Sequence, residues 1–594
     1  MRSKDKSLVR KLNADALKRE FRGVGFYLFS ISGIINLLAL TGAFYMLQIY
    51  DRALTSGSVP TLLAISALAL GLYVFQGLFD IIRGQILVRV GAKFDRKFAP
   101  KAHQVAIDMP RFGFSTSESL ERGRDVDTVR AFLGSQGPMA LFDLPWMPLY
   151  LVFVYMLHPL LGALTIGGAF VLTILTVLTE ILSRRIAGAT QQAAIKRSTI
   201  ADSNTRNAEI IRAMGFSARA VSRFAAANDD HLKLQTQAND IAGTLSAISR
   251  VLRMLLQSAL LGLGAYLAIQ GSLSAGAIIA CSVAAARALA PIDLAIGNWK
   301  NVVSARNAFK RLLDTMVALA DLPQPMELPT PTSSLKIEKI TVAAPASGKV
   351  LLSEVSFELQ AGQGLGVIGP SAGGKTTLVR AITGIWTPLR GSVRLDDADL
   401  QQYSEEMLGK NIGYLPQEVA LLDATIEENI SRFAPDPNPE SIVAAAKAAG
   451  VHEMIVRLDD GYRTQIGPQG AALSAGQRQR IGLARALYGN PFLVVLDEPN
   501  SNLDGEGEIA LSAAIMGVRE RGGIVVVVAH RPSALANIDL VAVMQNGRIA
   551  NFGPKETVIA PPKVDPVVKK PKVSMPVVTQ LKPVSFKWST SGSM

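Results

Sequence analysis

"GLGVIGPSAGGKTTLVRAITG", residues 364–384, runs from an apolar stretch through a loop of small residues into a segment with helical spacing. That order reads as strand, turn and helix. Within it Gly369, Pro370, Ser371, Ala372, Gly373, Gly374, Lys375 and Thr376 spell G-x-x-x-x-G-K-T, with Thr377 next. In that context the backbone N–H groups of residues 369–376 wrap phosphate oxygens, the Lys375 ammonium reaches the outer phosphates, and the Thr376 hydroxyl holds Mg²⁺. The segment therefore predicts an α/β nucleotide-binding domain. The β-branched runs from "LKIEKITVAAP" (335–345) to "SEVSFELQAGQ" (353–363) supply strands that lead into it.

Two further apolar strands follow. "FLVVLDEP" (492–499) ends in Asp497, placed for the magnesium shell, and Glu498, placed to orient and deprotonate an attacking water. "IVVVVAH" (524–530) ends in His530, within reach of a terminal phosphate. Between the loop and these strands lies "LSAGQRQRIGLARAL" (473–487), whose Ser474 hydroxyl and bare Gly476 backbone precede a helix and form a second phosphate-binding arrangement.

With 594 residues the chain divides into at least two domains, and 49% hydrophobic residues point to a membrane portion. Its one cysteine, Cys281, sits in an apolar run, which excludes a disulfide framework within the chain. The net charge of +13 would suit a nucleic-acid protein, but the basic residues collect on the stretches that a membrane protein keeps in the cytosol. Six apolar segments, near 25–49, 61–82, 139–157, 160–182, 252–270 and 273–292, have the length of membrane spans. Residues 1–24 hold eight Lys or Arg against three acids and residues 83–136 ten against six, whereas the stretches 50–60, 158–159 and 271–272 contribute only Arg52. The N-terminus and long connections are thus expected in the cytosol, and no cleavable signal peptide is apparent. The long connections keep apolar residues at helical spacing and are expected to extend the spans far into the cytosol.

Together with "YLPQE" (414–418), which carries Gln417, and "SNLD" (501–504), which ends in Asp504, these motifs resemble the ATP-binding cassette family. The resemblance makes Ser474, Gly476 and Gln477 the signature, Gln417 the glutamine loop and a magnesium-shell neighbour, Asp504 the end of the D-loop, and His530 the switch histidine. It also implies that cassettes pair head to tail, each ATP and Mg²⁺ lying between the Lys375 loop of one copy and the Ser474 loop of the other, hence a homodimer. One position departs from the family: the aromatic expected to stack on adenine is Ala344. In the membrane half, "FYMLQIYDRALTSGSVPTL" (44–62), "LFDLPWMPLYLVFVYMLHPLLG" (141–162) and "GSLSAGAIIACSVAAARALAPID" (271–293) look like the type I protein-secretion subfamily, and more closely the exporters of metalloproteases and lipases with glycine-rich calcium-binding repeats.

The expectation is thus a multi-domain membrane protein: a basic cytoplasmic N-terminus (1–24), an all-α six-helix transmembrane domain (25–320), a linker (321–334), an α/β cassette (335–560) and a disordered Pro/Lys-rich tail (561–594). The resemblance implies ATP-driven export of an unfolded polypeptide with a C-terminal signal across a bacterial inner membrane, with a membrane-fusion adaptor and an outer-membrane channel as partners. With the first span expected from about residue 25, no room is expected before it for the peptidase-like domain that some relatives carry there. Export of lipids or small hydrophobic molecules is the alternative. Charged residues in apolar settings, Asp51, Arg52, Asp143, Arg287 and Asp293, are expected to face a polar cavity, a partner or the interface.

Overall fold

The computed structural model describes residues 22–320, 328–529 and 535–558. They form two compact units: the first runs through Gln324, and the second starts at Pro325, the turn Ala343–Lys349 apart.

The first unit is helical. Six of its helices are long and apolar enough to cross a membrane, and they coincide with the six apolar runs of the sequence. They are α1 (Arg22–Ser56), α2 (Val59–Asp108), then, after the shorter α3 (Thr116–Leu133), α4 (Gln136–Leu157), α5 (Pro159–Arg206), α6 (Ser217–Ile269) and α7 (Ala275–Gly297). α8 (Trp299–Ala320) ends the unit. With 50, 48 and 53 residues, α2, α5 and α6 reach about 70–80 Å at about 1.5 Å per residue, more than twice a bilayer's hydrocarbon thickness. The long connections are therefore helical extensions, as their periodicity predicts.

Side chains such as Leu63, Leu70, Val74 and Phe75 on α2 and Phe170 and Val177 on α5 stand exposed, a surface suited to lipid rather than water. The core is built on α7, where the small residues Ala280, Cys281, Ala284 and Ala285 pack among Val154, Leu161 and Leu260. Without large side chains the helix backbones approach closely, the usual way to associate helices where no hydrophobic force acts between them. Cys281 is buried here as a small apolar residue.

The second unit has two sheets. Strands β1 (Ser334–Ala343), β2 (Val350–Gln360), β4 (Arg390–Leu395) and β5 (Ala398–Asp399) form one, in the order β2-β1-β4-β5. The other runs β10-β9-β3-β8-β7-β6 and comprises β3 (Gly364–Ile368), β6 (Ile412–Leu415), β7 (Leu493–Asp497), β8 (Ile524–Val528), β9 (Leu540–Gln545) and β10 (Arg548–Pro554). Its strands are parallel except β10. The loops after β3, β7 and β8 therefore leave the same edge, where parallel sheets bind ligands.

Alternation along the strands divides the core in two. Leu493 and Val495 of β7 and Ile524, Val526 and Val528 of β8 join the cluster that holds helix α9 (Lys375–Ile382) through Leu378, Val379 and Ile382. Val494 and Leu496, with Val525 and Val527, join the cluster that holds α10 (Ala475–Leu487) through Ile481, Leu483 and Leu487 and α11 (Gly505–Glu520) through Leu511 and Ile515. Strand side chains point alternately to opposite faces. α9 and α10 therefore lie on opposite faces of one sheet.

Candidate nucleotide site

The loop between β3 and α9 is held open by backbone that only small residues tolerate. Gly369 has φ +148°, and a Cβ there would come within 2.1 Å of the Met544 carbonyl oxygen. Gly374, at φ +101°, would place one 2.8 Å from the Leu352 side chain. Ala372 adopts φ +63°, a conformation that costs a residue with a Cβ. Ser371 and Ala372 are exposed, Thr376 is half-buried, and Lys375 and Thr377 are buried. The Lys375 ammonium donates to the carbonyl oxygens of Gly369 (2.9 Å) and Pro370 (3.0 Å), so the loop folds around its own cation. No side chain caps the N-terminus of α9. Its first N–H groups and Lys375 together suit an anion such as a phosphate.

Asp497 ends β7 only 1% exposed, and among the described residues neither carboxylate oxygen has a hydrogen-bond partner. Burial raises its pKa above the usual carboxylate range, and neighbouring Glu498 adds to the rise, while Thr376, Arg380 and Lys375 pull the other way. A buried carboxylate without a partner costs about 1–3 kcal/mol or more and is a natural place for a cation. The residues present fit Mg²⁺: the buried Asp497 carboxylate has the Thr376 hydroxyl beside it. One carboxylate and one hydroxyl, completed by phosphate and water, is the kind of shell Mg²⁺ favours.

Glu498 follows with φ +50°, which turns its side chain out of the strand direction, and its N–H donates to Val528 O at 3.0 Å. The exposed Gln417 reaches it: Nε2 donates to Glu498 Oε2 at 3.0 Å. The structure thus gathers Gln417, Asp497, Glu498 and the Lys375 loop at one sheet edge. His530 lies outside the described residues.

The second phosphate arrangement is elsewhere. Ser474 caps α10: its Oγ accepts from Gln477 N (3.3 Å), and Gln477 Oε1 accepts from Ser474 N (2.8 Å), a reciprocal capping box. Among the described residues, the Ser474 O–H and the Gln477 amide hydrogens have no acceptor and can donate to a ligand. At Gly476 a Cβ would lie 2.9 Å from Asn502 O, so a bare backbone lets the D-loop stretch approach. Asp504 caps α11 by accepting from Gly507 N at 2.9 Å and pairs with Arg480. Gln479, which the sequence did not single out, is buried and donates to Pro499 O at 3.0 Å, tying α10 to the segment after Glu498. Ala344 makes no ring contact; it closes a turn, its N–H donating to Lys349 O at 2.8 Å.

In the first unit, the charges singled out in apolar settings are mostly partnered. Arg83, counted in the sequence as the start of a cytoplasmic stretch, is only 5% exposed. It donates to Asp143 (2.7 Å), Asp80 (2.6 Å) and the Ser32 hydroxyl (3.1 Å), while Asn36 also donates to Asp143 (2.9 Å). Three spans meet at this cluster. Asp293 pairs with Arg253 (3.0 Å) and accepts from Ser249 (2.8 Å). Asp51, in a π-helical turn of α1, accepts from Ser274 Oγ (2.6 Å) and Gly276 N (2.9 Å), and so caps the start of α7. Arg52 and Arg287 are exposed.

Residues 26–289 match the family model described as the ABC transporter transmembrane region, and residues 352–501 the ABC transporter model. The chain is 50% identical over 539 residues to the type I secretion system ATP-binding protein PrsD of Rhizobium meliloti (strain 1021), covering 91% of this chain and 92% of that protein. It is 28% identical over 541 residues to the toxin RTX-I translocation ATP-binding protein of Actinobacillus pleuropneumoniae, covering 90% of this chain and 76% of that one. Among solved structures, that of a bacterial Atm1-family ABC exporter with ATP bound matches with a TM-score of 0.78 at 23% identity, over 91% of this chain and 96% of that one. At that identity the likeness speaks for the fold.

Proposed function

This chain belongs to the ABC transporter family, an exporter that joins a six-span membrane unit to an ATP-hydrolysing unit, and from that membership we propose that it is the motor of a type I secretion system, driving an unfolded polypeptide across a bacterial inner membrane. The half-identity to a type I secretion protein along nine-tenths of the chain carries this reading of the cargo. On it, the N-terminus and the ATPase unit are cytoplasmic, and a membrane-fusion adaptor and an outer-membrane channel continue the path.

The catalytic roles follow from the site. The Lys375 loop binds ATP phosphates, with Gly369, Pro370, Ser371, Ala372, Gly373 and Gly374 shaping it and Thr376 and Thr377 at the helix start. Asp497, Thr376 and Gln417 hold Mg²⁺, which would neutralise phosphate charge when bound. Glu498, oriented by Gln417, takes the proton of the attacking water, and His530 contacts the terminal phosphate. The Ser474, Gly476, Gln477 and Asp504 set belongs to the nucleotide of a second copy, because α9 and α10 sit on opposite faces of one sheet. The working unit is therefore a homodimer with two composite ATP sites. A Lys375 variant and a Ser474 variant, each inactive alone, regain ATPase activity when mixed, since both lesions can fall on one interface; a mixture as inactive as its components would count against the pairing.

For the cargo path, α7 packs against α1, α4, α5 and α6. Arg287 stands on its remaining open stripe with no ion pair among the described residues. A guanidinium facing lipid there is costly, whereas one facing a central polar cavity between two copies is not. In reconstituted protein, ATPase activity should respond to a secretion-signal peptide and not to added lipids. Arg287→Ala should keep basal hydrolysis and lose that response. A response to lipids alone would replace the polypeptide with a lipid cargo.

A further inference from the structure

Arg432 follows the short helix Ile426–Ile430 in a left-handed conformation, φ +57°. Its Nε donates to Arg485 O at 2.9 Å and its Nη2 to Ala486 O at 3.1 Å, the carbonyls of the last turn of α10. Its Nη1 donates to Ile412 O at 3.4 Å, at the start of β6, and to Gly409 O, in the last turn of the helix Glu405–Asn411 that feeds β6. Among the described residues it forms no ion pair. One planar cation thus satisfies carbonyls at the C-terminal ends of two helices, where orphan oxygens and the helix dipole favour positive charge.

The contacts around it join the same pieces. A Cβ on Gly413 of β6 would lie 2.0 Å from Ala486 O. One on Gly482 of α10 would lie 2.6 Å from Val419 and 3.0 Å from Leu415. Arg485 donates to Ala420 O at 3.0 Å. Val419 and Ala420 follow Gln417, whose side chain reaches Glu498. The segment that carries Gln417 and the helix that begins at Ser474 are therefore packed without room for a methyl group. Burial, with Arg485 beside it, lowers the Arg432 pKa to about 10, so it remains charged at neutral pH.

We propose that Arg432 is a positioning residue for ATP hydrolysis: by pinning the end of α10 to the start of β6, it makes the Ser474 loop and Gln417 shift as one body. Arrival of a second copy's nucleotide at Ser474 then sets the placement of Gln417 against Glu498. This rests on the two-copy reading above. Lysine keeps the charge but not the planar fork that serves four carbonyls at once.

The test uses the full-length protein in lipid nanodiscs. Arg432→Lys should bind a fluorescent ATP analogue within about twofold of the native protein, since the Lys375 loop is untouched, while kcat falls about tenfold and cooperativity in ATP is lost. In a Glu498→Gln background it should no longer retain ATP through a desalting column. Gly482→Ala, which wedges α10 off Val419, should give the same split by an independent route and stands in if Arg432→Lys does not fold. Native kcat in either folded variant, or binding and turnover falling together with the folded fraction, would overturn the assignment. The Glu498→Gln protein with native Arg432 is the control: if it fails to retain ATP, the two-copy reading fails and not the role of Arg432.

Discussion

Arg83 in the membrane unit and Asp497 in the ATPase unit are both buried charges, yet they are treated differently. In the membrane unit, Arg83 is matched to Asp143, Asp80 and Ser32, and Asp293 to Arg253. In the ATPase unit, Asp497 is buried and, among the described residues, neither of its oxygens has a hydrogen-bond partner, so that nearby Thr376, Arg380 and Lys375 offset its burial only in part, while the Lys375 ammonium donates to its own loop's carbonyls. A matched charge has finished its work in folding, whereas an unmatched one is held in readiness for a ligand. Between Arg83 and Asp497, both buried, it is partnering more than burial that differs.

The largest effect should come from breaking the matched cluster. Arg83→Met leaves Asp143 buried without its cation and should cost about 3–5 kcal/mol, read as a collapse of folded yield and melting temperature in detergent. Adding Asp143→Leu should restore much of that loss. A single variant as stable as the native protein would mean that water reaches the cluster and that the contrast is false.

Next in size is the chemistry. Glu498→Gln should keep ATP binding and lower turnover by about 10² or more, about 2.7 kcal/mol in barrier. Turnover near native would remove Glu498 from the role of base. Lys375→Ala should instead weaken ATP binding, because it withdraws the charge that meets the phosphates.

Asp497 sharpens the comparison, since removing an unmatched charge should help the empty site. Asp497→Asn should stabilise the nucleotide-free protein by about 1–3 kcal/mol and abolish the extra stability that Mg²⁺-ATP confers. The pH dependence has a definite sign. Because the folded protein holds this proton more tightly than the unfolded chain does, nucleotide-free stability should fall as pH rises from the ordinary aspartate value through the raised one. Asp497→Asn should flatten that part of the profile; an unchanged profile would assign it to other groups.

The smallest effect is where α1 meets the start of α7. Asp51→Ala removes acceptors from Ser274 and Gly276 at the start of α7 and should cost about 0.5–2 kcal/mol, the usual range for a lost helix cap. No change in melting would make Asp51 a surface residue and leave Arg83 and Asp293 to carry the comparison.

By itself the sequence determined what depends on local backbone and on preference for lipid over water. The six spans, their helical extensions and the glycine-built loop before α9 are legible because hydropathy, periodicity and positive-φ positions are written residue by residue. Ser474, Asp497 and Glu498 could be picked out for the same reason, each standing at the end of a strand or the start of a helix. Tertiary structure alone decided which elements face each other. Nothing around Arg83 announces Asp143, 60 residues away, and nothing near Arg432 announces the ends of two helices. Nor does the sequence state that α9 and α10 lie on opposite faces of the sheet, which separates the Lys375 loop from the Ser474 cap within one chain. The physical reason is that a charge's partner and a helix's side of the sheet are settled by packing between distant segments, and a local pattern carries no record of that packing.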